Sequence, residues 1–180
     1  MKKHELEKLE FGNWPLPEKA CTEIGRMHAL WNSMENTLSL LIGKLAGYND
    51  IKDMRPYILL NHTTFQEKLD IFGSLCDFLK SDYPHLSKYP QVISKLKTAQ
   101  KQRNIFTHQT FIYNVEKDEL ELATSSTRGK LKTNVRIINV EEIKKAIIDI
   151  DEANVAMYEL ILFRKLKPVW KKIIDGEKKV

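Results

Sequence analysis

Arg103, Asn104 and His108 are the residues of this sequence whose types and spacing suit a reaction. An arginine donates to the non-bridging oxygens of a phosphodiester and stabilises the charge that builds there. A histidine, with an unperturbed pKa of about 6.5, takes or gives a proton near neutrality. A polar residue beside the arginine orients the phosphate or the histidine. These groups suit RNA cleavage without a metal or cofactor. The 2′-hydroxyl attacks the adjacent phosphorus, one group accepts its proton, and another protonates the leaving 5′-oxygen. The products are a 2′,3′-cyclic phosphate and a 5′-hydroxyl.

The elements that must hold these residues are helical. Apolar residues at three- and four-residue steps predict a long helix from about Glu18 to Ala46, on Ala20, Ile24, Met27, Trp31, Met34, Leu38, Leu41 and Leu45. Gly47 supplies a left-handed stop. A second stripe of the same helix, Asn32, Glu35, Asn36, Ser39 and Gly43, is small and polar, and either admits a close neighbour or faces solvent. Asp50 to His62 reads as a short helix interrupted near Pro56. Thr64 and Glu67 form a capping-box pattern for a helix running to about Leu79. Ser87 with Pro90 starts the third long helix, with Val92, Ile93, Leu96, Ala99 and Phe106 on its apolar side. Its other side carries Gln100, Arg103, Asn104 and Thr107, and His108 ends it.

The period then changes to two. Thr110 to Val115 and Leu120 to Thr124 read as strands, and Leu131 to Val140 as a third with Leu131, Val135 and Ile137 on one face, after a turn at Arg128-Gly129-Lys130. Asn139 and Glu142 cap a closing helix to about Leu166, on Ile143, Ile147, Ile150, Val155, Tyr158, Ile161 and Leu162. Residues 1–11 read as a short helix or arm, broken by Trp14-Pro15-Leu16-Pro17, and residues 169–180 as a short helix and tail. The expected fold is an all-α bundle of about four main helices in one domain, residues 1–180, with a hairpin or three-stranded insert between the third and fourth.

Charge points to the partner. The basic C-terminal segment, residues 164–180, carries the whole net charge of +5, and the rest of the chain is balanced. Tyr83 to Val115 holds five basic residues and no acid, and Leu122 to Val140 holds Arg128, Lys130, Lys132 and Arg136, again with no acid. Two acid-free stretches around the motif favour a polyanion. Lys101, Arg128, Lys130, Lys132 and Arg136 are candidates for flanking phosphates. Gln100 and Thr107 lie one turn from the motif, and Glu35 is a candidate to support it from the first long helix. Cys21 and Cys76 sit in apolar-periodic segments and read as buried free thiols of a cytoplasmic protein. No apolar run reaches the roughly 20 residues that span a bilayer, so no membrane role is expected. No Cys/His cluster has metal-ligand spacing, and no G-x-S-x-G, H-E-x-x-H or Walker A pattern occurs.

Arg103-Asn104-Ile105-Phe106-Thr107-His108 resembles the R-x4-6-H motif of the HEPN superfamily, whose nuclease members carry it at the end of a core helix. The resemblance covers most of the chain: a helical bundle, the motif ending the third long helix, then a closing helix. Arg55 to His62 fits the loose motif too, but Pro56 disfavours the helix that would display Arg55, and the leucines and isoleucine between read as core. The resemblance implies an endoribonuclease acting as a toxin or in phage defence, with Arg103, Asn104 and His108 catalytic. It also implies a homodimer with a composite cleft and an antitoxin or regulatory partner. Arg103 and His108 lie about 140° apart around an ideal helix axis, so they converge if the last turn distorts or across a two-fold interface, and a dimer would also supply the second histidine that one motif lacks. Some HEPN toxins carry a tyrosine two residues after the histidine, where this chain has Thr110, so control by modification of that tyrosine is not implied. The alternative reading is a dimeric HEPN-like module that binds a nucleotide, RNA or protein without catalysis. Arg103 is then an ion-pair or interface residue and His108 a helix-end residue favoured by the macrodipole.

Overall fold

The computed structural model describes residues 16–50, 52–126, 132–163 and 165, without the side chains of residues 125, 126 and 132. The expected N-terminal arm, the turn at Arg128-Gly129-Lys130, Leu131 and the C-terminal helix at residues 169–180 lie outside the described residues. The described chain is mostly helical: α1 Glu18–Leu45, α2 Arg55–Leu60, α3 Phe65–Leu79, α4 Tyr89–Thr107 and α5 Val140–Leu162. Between α4 and α5 stand three strands, β1 Thr110–Asn114, β2 Glu119–Ser126 and β3 Lys132–Ile138, paired antiparallel in the order β1-β2-β3.

Local chemistry sets most boundaries. The 28 residues of α1 make a rod of about 42 Å. It ends in a Schellman turn: the Tyr48 N–H donates to the Gly43 carbonyl at 3.0 Å and the Gly47 N–H to the Lys44 carbonyl at 3.1 Å. Gly47 takes the left-handed φ of +92° that this turn needs. Both expected capping boxes form. Thr64 accepts from the Glu67 N–H while Glu67 accepts from the Thr64 N–H, and Asn139 and Glu142 do the same for α5.

Four expectations shift. Pro56 does not interrupt the short helix but stands in its first turn, where its missing N–H costs nothing. Ser87 does not open α4. A 3-10 turn at Pro84–Lys88 comes first, and the Ser87 hydroxyl donates back to the Pro84 carbonyl at 2.7 Å. Helix α5 stops at Leu162, with Phe163 in the left-handed region, short of Leu166. Its buried stripe also turns after Ile150 to Ala153, Met157 and Leu160, which leaves Val155, Tyr158 and Ile161 half-buried and Leu162 exposed.

The core gathers Met27, Trp31, Met34 and Leu38 of α1, Leu69 and Phe72 of α3, Leu96 and Ala99 of α4, and Ile143, Ile147, Ile150 and Met157 of α5. α1 packs on α5 and α3, and α5 packs on α4. Across α1 and α3, the Trp31 and Phe65 rings meet at 4.6 Å. Across α1 and α5, the hydroxyls of Thr37 and Tyr158 share a hydrogen bond of 3.2 Å. The polar stripe of α1 does admit close neighbours. A Cβ at Gly43 would lie 2.5 Å from Cγ of Pro56, and Glu35 pairs with Lys68 of α3 at 2.9 Å.

The sheet places Leu120, Leu122 and Ile138 in the core. Val135 and Ile137 share the other face, which is the solvent face, at 47% and 59% exposure. Cys76 is buried as expected, but Cys21 is exposed, and both are free thiols. It follows the buried Ala20, and one residue is a turn of about 100° around the helix. Among the described residues, no helix is long and apolar enough to cross a membrane.

Candidate active site at the end of helix α4

The buried residues of α4 are Val92, Leu96, Ala99 and Phe106. Their steps of four, three and seven leave one gap in the stripe, four residues after Ala99 and three before Phe106. Arg103 fills it. The residue read from sequence as polar-faced therefore stands on the core-facing side of its helix. The physical reason is plain helix periodicity.

The surroundings match this position. Cζ of Arg103 lies 5.1 Å from the centroid of the Trp31 ring on α1. Trp31 is 3% exposed and is itself packed on Phe65. The guanidinium plane is thus carried by a tryptophan that the core holds still. Nη1 of Arg103 donates to Oδ1 of Asn104 at 3.1 Å. Nε is buried and has no hydrogen-bond partner among the described residues.

Asn104 has a second surface. With Gln100, Lys101, Lys97, Ile105 and Gln109 it lines a shallow groove along the outer side of α4. Lys101 also borders the next groove along the same helix, beside Lys97 and Ser94. The basic, amide-rich flank expected for a polyanion is therefore continuous with Asn104. Thr107 is less available, because its hydroxyl donates to the Arg103 carbonyl at 2.9 Å.

His108 caps α4. Its N–H donates to the Asn104 carbonyl at 3.2 Å and its side chain is exposed. Among the described residues, no hydrogen bond or ion pair joins its imidazole to another group, Arg103 included. The structure thus brings Arg103 together with Asn104 and leaves His108 at the rim, as the angle around the helix requires.

The remaining candidates lie elsewhere. Glu35 is held by Lys68 of α3. Arg136 pairs at 2.7 Å with Glu142, the carboxylate that also caps α5. Lys132 begins β3 opposite Ser126, its side chain outside the described residues, and Arg128 and Lys130 lie outside them altogether. Arg55, the other arginine fitting the loose motif, forks onto Asp53 and lies over Tyr48. Among the described residues, no three His, Cys, Asp or Glu side chains converge as a metal site.

One further residue, His28, reads from sequence only as a histidine that, with His62 and His85 in other segments, suggests no triad. His28 sits on α1 one turn before Trp31, and its pKa is lowered, first by burial and then by the Arg103 charge. The signal was present: His28 lies four residues before Asn32 and seven before Glu35, so it extends the polar stripe of α1 by one turn.

A separate cleft of about 440 Å³ opens between the 3-10 turn, α4 and α5. Val92, Ala156, Leu160 and Phe163 form its apolar part, with His85, Lys88, Gln91, Lys95, Glu159 and Lys165 around it. It shares no residue with the motif. Comparison with protein-family models, with curated proteins and with solved structures finds no match to this chain.

Proposed function

We propose that this chain is a metal-independent endoribonuclease of HEPN type, with a HEPN-like helical bundle. In this reading it works as a homodimer in the cytoplasm, as a toxin or phage-defence effector under the control of a protein partner. The observation that carries the reading is the setting of Arg103. An arginine fills the one gap in the buried stripe of α4, with its Nε buried and unpaired and its guanidinium against Trp31. Stability alone favours an apolar residue there. An arginine placed against that preference, beside Asn104 and five residues before an exposed histidine, has the properties of a phosphate-binding group.

In the mechanism, Arg103 and Asn104 hold the scissile phosphate and His108 transfers a proton at its edge. Gln100 and Lys101 continue the contact along the flanking strand. The test is cleavage of RNA in the presence of EDTA. Wild type is expected to yield 2′,3′-cyclic phosphate ends, with His108→Ala slower by about 10²–10⁴-fold. No cleavage, or equal cleavage by the variant, refutes the reading. The alternative, a binding module without catalysis, is favoured by one observation: an apolar cleft edged by three lysines, Lys88, Lys95 and Lys165, with His85 and one carboxylate, Glu159, suits a ligand with an apolar body and a polar, net-anionic end.

A further inference from the structure

We propose that the cleft between the 3-10 turn, α4 and α5 binds a small amphiphilic anion, a carboxylate on a hydrocarbon body, with the anionic end at Lys88 and Lys165. The cleft shares no residue with Arg103, Asn104 or His108, so this site holds whether or not the chain cleaves RNA.

Two helix faces make its walls. Lys88, Gln91, Val92 and Lys95 come from α4 and the residue before it, and Ala156, Glu159, Leu160 and Phe163 from α5 and the residue after it. Each set advances by three, one and three residues, so each is one face of its helix. The His85 and Phe163 rings meet at 5.1 Å, and Lys95 borders a smaller hollow with Asp149 and Glu152. The two faces therefore run antiparallel, with Phe163 at one end and Lys95 at the other. The stretch from Lys88 to Lys95 is about 10 Å of helix. A volume of about 440 Å³ is that of a small-molecule site.

The ends differ in charge. At the Phe163 end stand Lys88 and Lys165, both exposed, and no ion pair engages either among the described residues. Lys95, at the other end, has the two acids of the neighbouring hollow beside it. Within the cleft, three lysines stand against one carboxylate, Glu159, so the lining is net positive and complements an anion. The end without acids of its own is where that anion goes.

The middle of the cleft sets the rest of the ligand. Val92 and Leu160 are buried, and with Ala156 and Phe163 they present no hydrogen-bonding side chain. A nucleobase on this surface would leave its ring nitrogens unpaired, whereas hydrocarbon loses nothing. Phe163 is 78% exposed, and its ring lies on His85, which in turn meets Tyr83 edge-on. Its φ is +53°, in a left-handed region that a helix end ordinarily gives to glycine and that a phenylalanine rarely enters. A strained, exposed aromatic at the mouth of an apolar cleft is a surface for a ligand to cover.

The test is isothermal titration of the full chain with three probes: octanoate, octylammonium, which has the same chain and the opposite charge, and adenosine 5′-monophosphate. Octanoate is expected to bind one per chain, and the other two more weakly by about 10-fold or more. Replacing Lys88→Gln and Lys165→Gln together is expected to weaken octanoate by about 10-fold and to leave octylammonium no weaker. Phe163→Gly suits the left-handed backbone and is expected to weaken octanoate by about 10-fold without lowering Tm; the lysine variant decides alone if this one fails to fold. Octylammonium binding as tightly as octanoate overturns the placement of the anion. Tighter binding of the nucleotide overturns the hydrocarbon body. Binding of none of the three, as a cleft filled by residues 166–180 or by a second copy would give, overturns the proposal, and so does octanoate binding that the variants leave unchanged.

Discussion

Replacing Arg103 with methionine separates a residue kept for chemistry from one kept for the fold. The substitution removes a buried Nε without a partner, which costs the folded state about 1–3 kcal/mol. It also removes the guanidinium from the Trp31 face, a contact worth about 0.5–2 kcal/mol. The hydrogen bond to Asn104 is only partly buried and contributes about 0.5–1.5 kcal/mol. Methionine keeps an unbranched stem in the gap between Ala99 and Phe106, and its sulfur gains about 0.3–1.5 kcal/mol against the same indole. The balance is a stabilisation of about 1 kcal/mol, or about 2–4 °C in Tm for a chain of this size. Urea unfolding of both proteins, followed by far-UV circular dichroism, measures it, with RNA cleavage assayed in parallel. The expected result is a protein that is more stable and inactive. A destabilisation of more than about 2 kcal/mol, beyond the range these contacts allow, would make Arg103 a structural anchor and refute the argument.

Two further outcomes test the packing. Gly43→Ala puts a Cβ at 2.5 Å from Cγ and 2.7 Å from Cβ of Pro56, so α2 must move off α1. A destabilisation of about 1–3 kcal/mol is expected from thermal unfolding, and an unchanged Tm refutes the close approach. Burial pushes the Cys76 thiol up to about 12, so at pH 8 the native protein should yield one fast-reacting thiol, the exposed Cys21, to a disulfide reagent. Equal rates for both count against the burial. The raised value also has a sign for stability: the contribution of Cys76 is full below its unfolded pKa of about 9 and is lost as pH rises toward 12, because the unfolded thiol ionises first.

Much of the fold is written in short-range chemistry, and that part was legible. Thr64 with Glu67 and Asn139 with Glu142 announce two helix starts because each pair satisfies its own backbone donors. Gly47 announces the end of α1 because few other residues accept its φ. The small residues along α1 were legible as a possible contact surface, although not which helix would use it. What sequence left hidden depends on which face meets the core. Val135 and Ile137 alternate as a strand should, yet the sheet turns them to solvent. Arg103 was assigned to the polar side by its chemistry, although its spacing from Ala99 and Phe106 assigns it to the buried one. Trp31 and Arg103 are brought together only by the packing of two helices, which no local signal encodes.

The sheet has one more implication. It leaves the helices directly after His108 and returns directly before the Asn139 cap, so both ends of the excursion are anchored to fixed helix termini. Residues 115–118 turn β1 into β2, with Asp118 in the left-handed region and the Lys117 N–H on the Asn114 side chain. Adding two residues to each strand at that turn preserves the alternation that keeps Leu120 and Leu122 inward. Such a change leaves α4 and α5 in register. The hairpin is thus a segment whose reach can lengthen or shorten over evolution, by even steps, beside a motif that stays still.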